Sequence, residues 1–147
     1  MLVIIFFGFV PVGGTYYVQA LTWTPDVTIA SIICGLLIDT LLVVNNYRDR
    51  EADARSGKRT VIVRFGEKFG RYFYLLLGIS ASLLCLYFLH EGHIYAALLP
   101  QFYLVPHVLT WRRMVKIHSG KKLNSILGET SRNMLFMGIL LAIGMIL

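Results

Sequence analysis

Two carboxylates and an amide recur at four-residue intervals in the stretch 45–66, NNYRDREADARSGKRTVIVRFG: these are Asn45, Asp49 and Asp53. On a helix that advances about 100° per residue, positions i, i+4 and i+8 fall within roughly an 80° arc. Like charges stacked this way cost a few tenths of a kcal/mol per pair, so the arrangement suits a cation that offsets the repulsion. Hard oxygen ligands at this spacing fit Mg²⁺, which takes one or two protein carboxylates, keeps several waters and shares the rest of its shell with a substrate phosphate. The bases that follow, Arg55, Lys58, Arg59 and Arg64, could meet the same phosphate from the other side. The same spacing also arises on solvated helix faces, where Arg48, Arg50 and Arg55 neutralise the acids by i,i+3 and i,i+4 pairing.

The elements that must position these groups are membrane helices. The chain is 56% hydrophobic and 15% charged, with mean hydropathy +0.67 and apolar runs long enough to cross about 30 Å of hydrocarbon. Five spans are expected, at about 2–19, 27–46, 70–90, 94–112 and 130–147, with a loop at 46–69 carrying the motif. The predicted fold is therefore all-α, a polytopic transmembrane helical bundle occupying 1–147. All fourteen Lys and Arg residues lie in two stretches, 48–71 and 112–132, separated by two spans. By the positive-inside rule both face the cytoplasm, which puts the motif loop on the cytoplasmic side of the inner membrane.

A net charge of +6 also raises nucleic acid as a partner, but the bases border apolar spans and no basic-and-aromatic platform for single strands appears. The partner expected instead is the lipid bilayer. The apolar start lacks the charged n-region of a signal peptide and reads as a retained helix. Cys34 and Cys85 fall inside spans and read as packing residues. Gly57 marks a helix stop, and the segment up to Gly70 a short cap over the helix mouth. Asp39 lies inside an apolar run, where a carboxylate costs at least about 2.5 kcal/mol on insertion scales, and therefore marks a cavity or a partner. Asp39 and Asn46 are candidate cavity-lining residues, with a structural hydrogen bond as the other reading of Asp39.

The string Asn45, Asn46, Arg48, Asp49, Asp53, Gly57, Lys58, Thr60, Arg64, Gly66 resembles, in register, the second aspartate-rich motif of the UbiA superfamily of intramembrane prenyltransferases. It is most similar to the branch that prenylates 1,4-dihydroxy-2-naphthoate, and the likeness spans essentially the whole chain. The resemblance implies the second half of a nine-span bundle. It also implies transfer of a polyprenyl group from its diphosphate to an aromatic quinone precursor, with decarboxylation, in menaquinone biosynthesis.

Carried over by position, Asn45, Asp49 and Asp53 would hold Mg²⁺, and Arg48, Lys58, Arg59 and Arg64 would serve the diphosphate. Asp49, Asp53 and Lys58 would form the catalytic set. The family's first aspartate-rich motif has no counterpart in these residues. The expectation is thus a C-terminal portion, catalytically incomplete alone and in need of an N-terminal half. A reading from another class is a noncatalytic helical membrane subunit or small transporter that binds a cation or a lipid headgroup.

Overall fold

In the computed structural model, which describes residues 2–147, the chain is a bundle of helices without strands among the described residues. α1 covers Leu2–Ala20 and is predominantly apolar. Pro11 has no amide hydrogen to return to the preceding turn, and the helix widens to π spacing around it, over Ile5–Gly13. After a short connection, α2 runs unbroken over Pro25–Arg55. Its start follows from three local signals: the Thr24 hydroxyl accepts from Val27 N–H at 3.4 Å, Pro25 opens the helix, and Asp26 sits in its first turn.

α1 and α2 approach closely because two glycines face their contact. A Cβ on Gly8 would strike the carbonyl oxygen of Ser31, and one on Gly35 would lie 2.7 Å from Ile4 Cα. Small residues of this kind let membrane helices pack backbone to backbone.

α3 covers Val61–Leu84 and continues as the 3₁₀ turn Cys85–Leu89. It is capped by the Thr60 hydroxyl, which accepts from Val63 N–H at 3.3 Å. Gly66 breaks it with φ 87° and ψ 170°, a conformation that only glycine adopts without strain. α4 (Ile94–Leu98), the 3₁₀ turn Leu99–Tyr103 and α5 (Leu104–Ile117) follow, and α6 covers Leu123–Ile146.

Four helical stretches among the described residues are long and apolar enough to cross a membrane: Leu2–Ala20, Pro25–Arg55, Val61–Leu89 and Leu123–Ile146. Two expectations need correction. The span expected at 94–112 is broken near Pro100, where the ring cannot donate a helical hydrogen bond, and its helix runs on to Ile117. The loop expected at 46–69 shrinks to 56–60, because α2 continues through the charged segment and α3 begins at Val61. Arg, Glu and Ala propagate a helix well, so charge here does not end one.

Two apolar clusters hold the bundle together. One gathers Ile33, Leu37, Ala81, Phe88, Tyr103 and Met137. The other, nearer the motif, gathers Val44, Tyr47, Ile62, Tyr74, Met114 and Ile126. Polar side chains in the interior are paired. Tyr74 Oη is 3.1 Å from Thr130 Oγ1, Asn133 Nδ2 donates to Thr110 Oγ1 at 2.9 Å, and His107 stacks between Tyr74 and Tyr103. Among the described residues no buried side-chain N or O lacks a partner, as a nonaqueous surrounding demands.

Candidate functional site

The continuity of α2 decides the first question about the site. Asn45, Asp49 and Asp53 lie on one unbroken helix, so the four-residue spacing does place them on one face. At 1.5 Å per residue α2 is about 46 Å long, against a hydrocarbon layer of about 30 Å, so its charged end has room to project beyond the apolar layer.

Arg48 ties the upper part of that face together. Its Nε donates to Asp49 Oδ1 at 2.7 Å and its Nη2 to Asp49 Oδ2 at 2.6 Å. The same Nη2 donates to Asn45 Oδ1 at 2.8 Å, and Nη1 reaches Asn124 Oδ1 on α6 at 2.9 Å. One planar guanidinium thus holds an amide, both oxygens of a carboxylate and a second helix. Asn124 is a site residue that sequence reasoning misses, since it lies 76 residues from Arg48 and no spacing rule reaches it.

Asp53 is organised differently. α2 ends in a Schellman turn: Lys58 N–H donates to Asp53 C=O at 2.9 Å and Gly57 N–H to Ala54 C=O at 3.3 Å, with Gly57 at φ 75°. The turn folds the chain back over the helix end and brings Lys58 Nζ within 3.3 Å of Asp53 Oδ1. Asp53 is buried, whereas the Lys58 side chain is 70% exposed. Lys58 therefore covers the carboxylate from the water side.

Arg59 and Arg64 stand together elsewhere. With Val63 they line a separate cavity of about 380 Å³, and the Arg64 guanidinium lies 5.8 Å from the Phe65 ring centroid. The structure pairs neither arginine with Asp49 or Asp53, so the expected basic set divides into Arg48 and Lys58 on the carboxylates and Arg59 and Arg64 apart from them. Two further arginines of the motif region are engaged by Glu67 on α3. Its carboxylate pairs with Arg50 at 3.3 Å and with Arg71, accepts from Tyr47 Oη at 3.1 Å and lies 2.8 Å from His118 Nδ1. This cluster fastens α2, α3 and the end of α5 together, and apart from the i,i+4 pair of Glu67 with Arg71 its contacts join residues 17 or more positions apart, which hides it from a sequence reading.

Among the described residues no three His, Cys, Asp or Glu side chains converge as a metal cluster. The donors present are two carboxylates and one amide, all oxygen, on one helix face. That set fits a hard divalent cation that leaves most of its shell to water or phosphate rather than a closed protein cage.

Cavities adjoin the face on both sides. A cavity of about 540 Å³ opens at Asn45 and is lined by Ile38, Leu41, Leu42, Leu127 and Ser131. It shares Ile38 and Ser131 with a larger cavity of about 790 Å³ that continues between α2 and α6 past Cys34, Leu37, Met134 and Met137 to Ala30. The two form one apolar trough headed by the Asn45 amide. On the other side, Asp39 and Asn46 line a third cavity of about 510 Å³ with Val61, Ile62 and Phe73, and Val3 and Leu42 border both it and the trough.

Comparison with known proteins gives the family. The UbiA prenyltransferase family profile matches residues 1–139. The chain is 42% identical over 83 residues to the 1,4-dihydroxy-2-naphthoate octaprenyltransferase of Haemophilus influenzae, covering 56% of this chain and 27% of that protein. It is 40% identical over 84 residues to the protein of the same name from Escherichia coli K12, covering 57% and 27%. Against that from Mycobacterium tuberculosis it is 40% identical over 82 residues, covering 55% and 28%. The matched region thus amounts to roughly a quarter of each relative's length. No solved structure shows a significant match. A multi-pass helical chain with this motif, matched over nearly all its length by one family profile, belongs to the UbiA prenyltransferase family.

Proposed function

We propose that the chain forms part of a prenyl-transfer site. In it a polyprenyl group passes from its diphosphate to an aromatic acceptor, 1,4-dihydroxy-2-naphthoate, as the names of its relatives suggest. The observation that carries this reading is the junction at Asn45, where an oxygen-rich helix face meets the mouth of an apolar trough. A long isoprenoid with a charged head has that same division.

Asn45, Asp49 and Asp53 are the residues that would hold Mg²⁺, which when bound neutralises diphosphate charge. Lys58, beside Asp53, and Arg59 and Arg64, which line a cavity of their own, offer cations to the phosphate oxygens. The allylic C–O bond breaks and the diphosphate leaves with the electron pair, stabilised by these side chains. The trough walls along α2 and α6 hold the isoprenoid and keep water from the allylic cation.

The acceptor occupies the cavity of Asp39 and Asn46, which is walled by Phe73 and borders the trough at Leu42. There the Asp39 carboxylate accepts from a ring hydroxyl and Asn46 orients the acceptor. The ring carbon that bears the carboxyl group attacks the allylic carbon, and the bond to carbon dioxide breaks to restore the aromatic electrons. The motif end of α2 faces the cytoplasm and the chain lies in the inner membrane, in keeping with the two basic stretches 48–71 and 112–132.

The test is prenyl transfer from a radiolabelled polyprenyl diphosphate to 1,4-dihydroxy-2-naphthoate in membranes. The chain is assayed alone and co-expressed with the N-terminal part of the E. coli relative. Transfer in either arm that Asp49→Asn abolishes supports the reading. Absence of transfer in both arms, with the chain inserted and folded, overturns it in favour of a noncatalytic membrane subunit.

A further inference from the structure

We propose that Arg48 is a built-in occupant of the cation site, and that Asn124 is a positioning residue that sets how firmly it sits there. Arg48 reaches both Asp49 oxygens and the Asn45 Oδ1, which are the atoms available to a divalent cation on this part of the face. These oxygens keep further lone pairs, but a guanidinium and a divalent ion held on the same two groups repel each other, so each weakens the other's hold. The exchange is accessible from water: the Arg48 side chain is 26% exposed and that of Asp49 38%.

The remaining contact of the fork is different in kind. Nη1 donates at 2.9 Å to Asn124 Oδ1, a neutral acceptor that lies on α6 rather than on the carboxylate face of α2. When a cation takes Asp49 and Asn45, the Asn124 contact is the one Arg48 can keep. The guanidinium then pivots on α6 and presents its freed N–H groups beside the cation, where an anion arrives. Asn124 therefore acts twice, and in opposite senses: it favours Arg48 over the cation before binding, and it holds Arg48 for the anion afterwards. The second of these rests on the prenyl-diphosphate reading above, whereas the first does not.

The opposition of signs is the test, because a merely structural Asn124 would weaken both events when removed. The full chain is reconstituted in lipid nanodiscs, and Mn²⁺ binding is measured by electron paramagnetic resonance. Farnesyl diphosphate binding is then measured in saturating Mn²⁺. For Asn124→Ala, Mn²⁺ should bind more tightly and farnesyl diphosphate more weakly, each by about three- to tenfold, the range of one hydrogen bond. Asn124 is exposed, so the truncation opens no core cavity, and Asn124→Leu should behave alike.

In an Arg48→Lys background, which has no fork to anchor, Asn124→Ala should change neither constant. Weaker binding of both probes, no change in Mn²⁺ binding, or shifts that persist in the Arg48→Lys background would overturn the proposal. Absence of Mn²⁺ binding that Asp49→Asn removes would overturn it too. If the Mn²⁺ shift appears but the wild-type chain binds no farnesyl diphosphate, the exchange stands and the prenyl-diphosphate reading fails.

Discussion

Lys58 Nζ stands 3.3 Å from Asp53 Oδ1 because the chain reverses direction between them, at a glycine in the left-handed region. The ion pair and the end of α2 are therefore one structural event. A residue with a Cβ at position 57 costs about 1–2 kcal/mol in that conformation. Gly57→Ala should lower the thermal midpoint of the detergent-solubilised chain and also weaken prenyl diphosphate binding, as Lys58 loses its place over Asp53. A lowered midpoint with unchanged binding would separate the turn from the site.

Asp49→Asn and Asp53→Asn, each made in a context that supports turnover, should reduce prenyl transfer by about 100-fold or more, without rescue by added Mg²⁺. The two should differ in stability. Asp49 is partly exposed, whereas Asp53 is buried against Lys58, so Asp53→Asn should also destabilise the end of α2. Near-normal turnover from either variant would remove that residue from the metal set.

Asp39→Leu tests the second cavity. The acceptor KM should rise by about tenfold or more, the loss expected for a hydrogen bond to a charged group, while the prenyl diphosphate KM stays within about twofold. A matched rise in both constants would mean that Asp39 shapes the bundle rather than contacting the acceptor.

Topology is checked by thiol labelling in intact cells and in inverted vesicles, with single cysteines at Ser56 and Ser119, both exposed. Both should label from the cytoplasmic side. Labelling from opposite sides would place the motif turn and the α5–α6 connection across the membrane from one another.

Much of this was legible in the sequence for reasons that are local. The face of Asn45, Asp49 and Asp53 needs only a helical repeat, and the stop at Gly57 needs only glycine's freedom at positive φ. What stayed hidden depends on partners distant in sequence. The segment after Asn45 is charged enough to read as a loop, yet Arg50 pairs with Glu67 and Tyr47 donates to it, and this bracing accompanies a helix that runs to Arg55. Arg59 and Arg64 look contiguous with the carboxylates in sequence, but the turn at 56–60 carries them into a cavity of their own. Asn124 sits within the basic stretch 112–132, and only the packing of α6 on α2 brings it to Arg48. The break near Pro100 was visible in principle, since proline inside an expected span warns of one.

The unbroken length of α2 makes it a ruler. Its charged end and the wall of the trough are the same rigid rod, so the distance from Asn45 to any wall residue is fixed at 1.5 Å per step and amounts to about 22 Å at Ala30. An elongated apolar ligand whose head is held at Asn45 is measured against Leu41, Ile38, Cys34 and Ala30 in turn. A bulky side chain at one of these marks, such as Ala30→Trp, shortens the scale at that mark and leaves the zero in place.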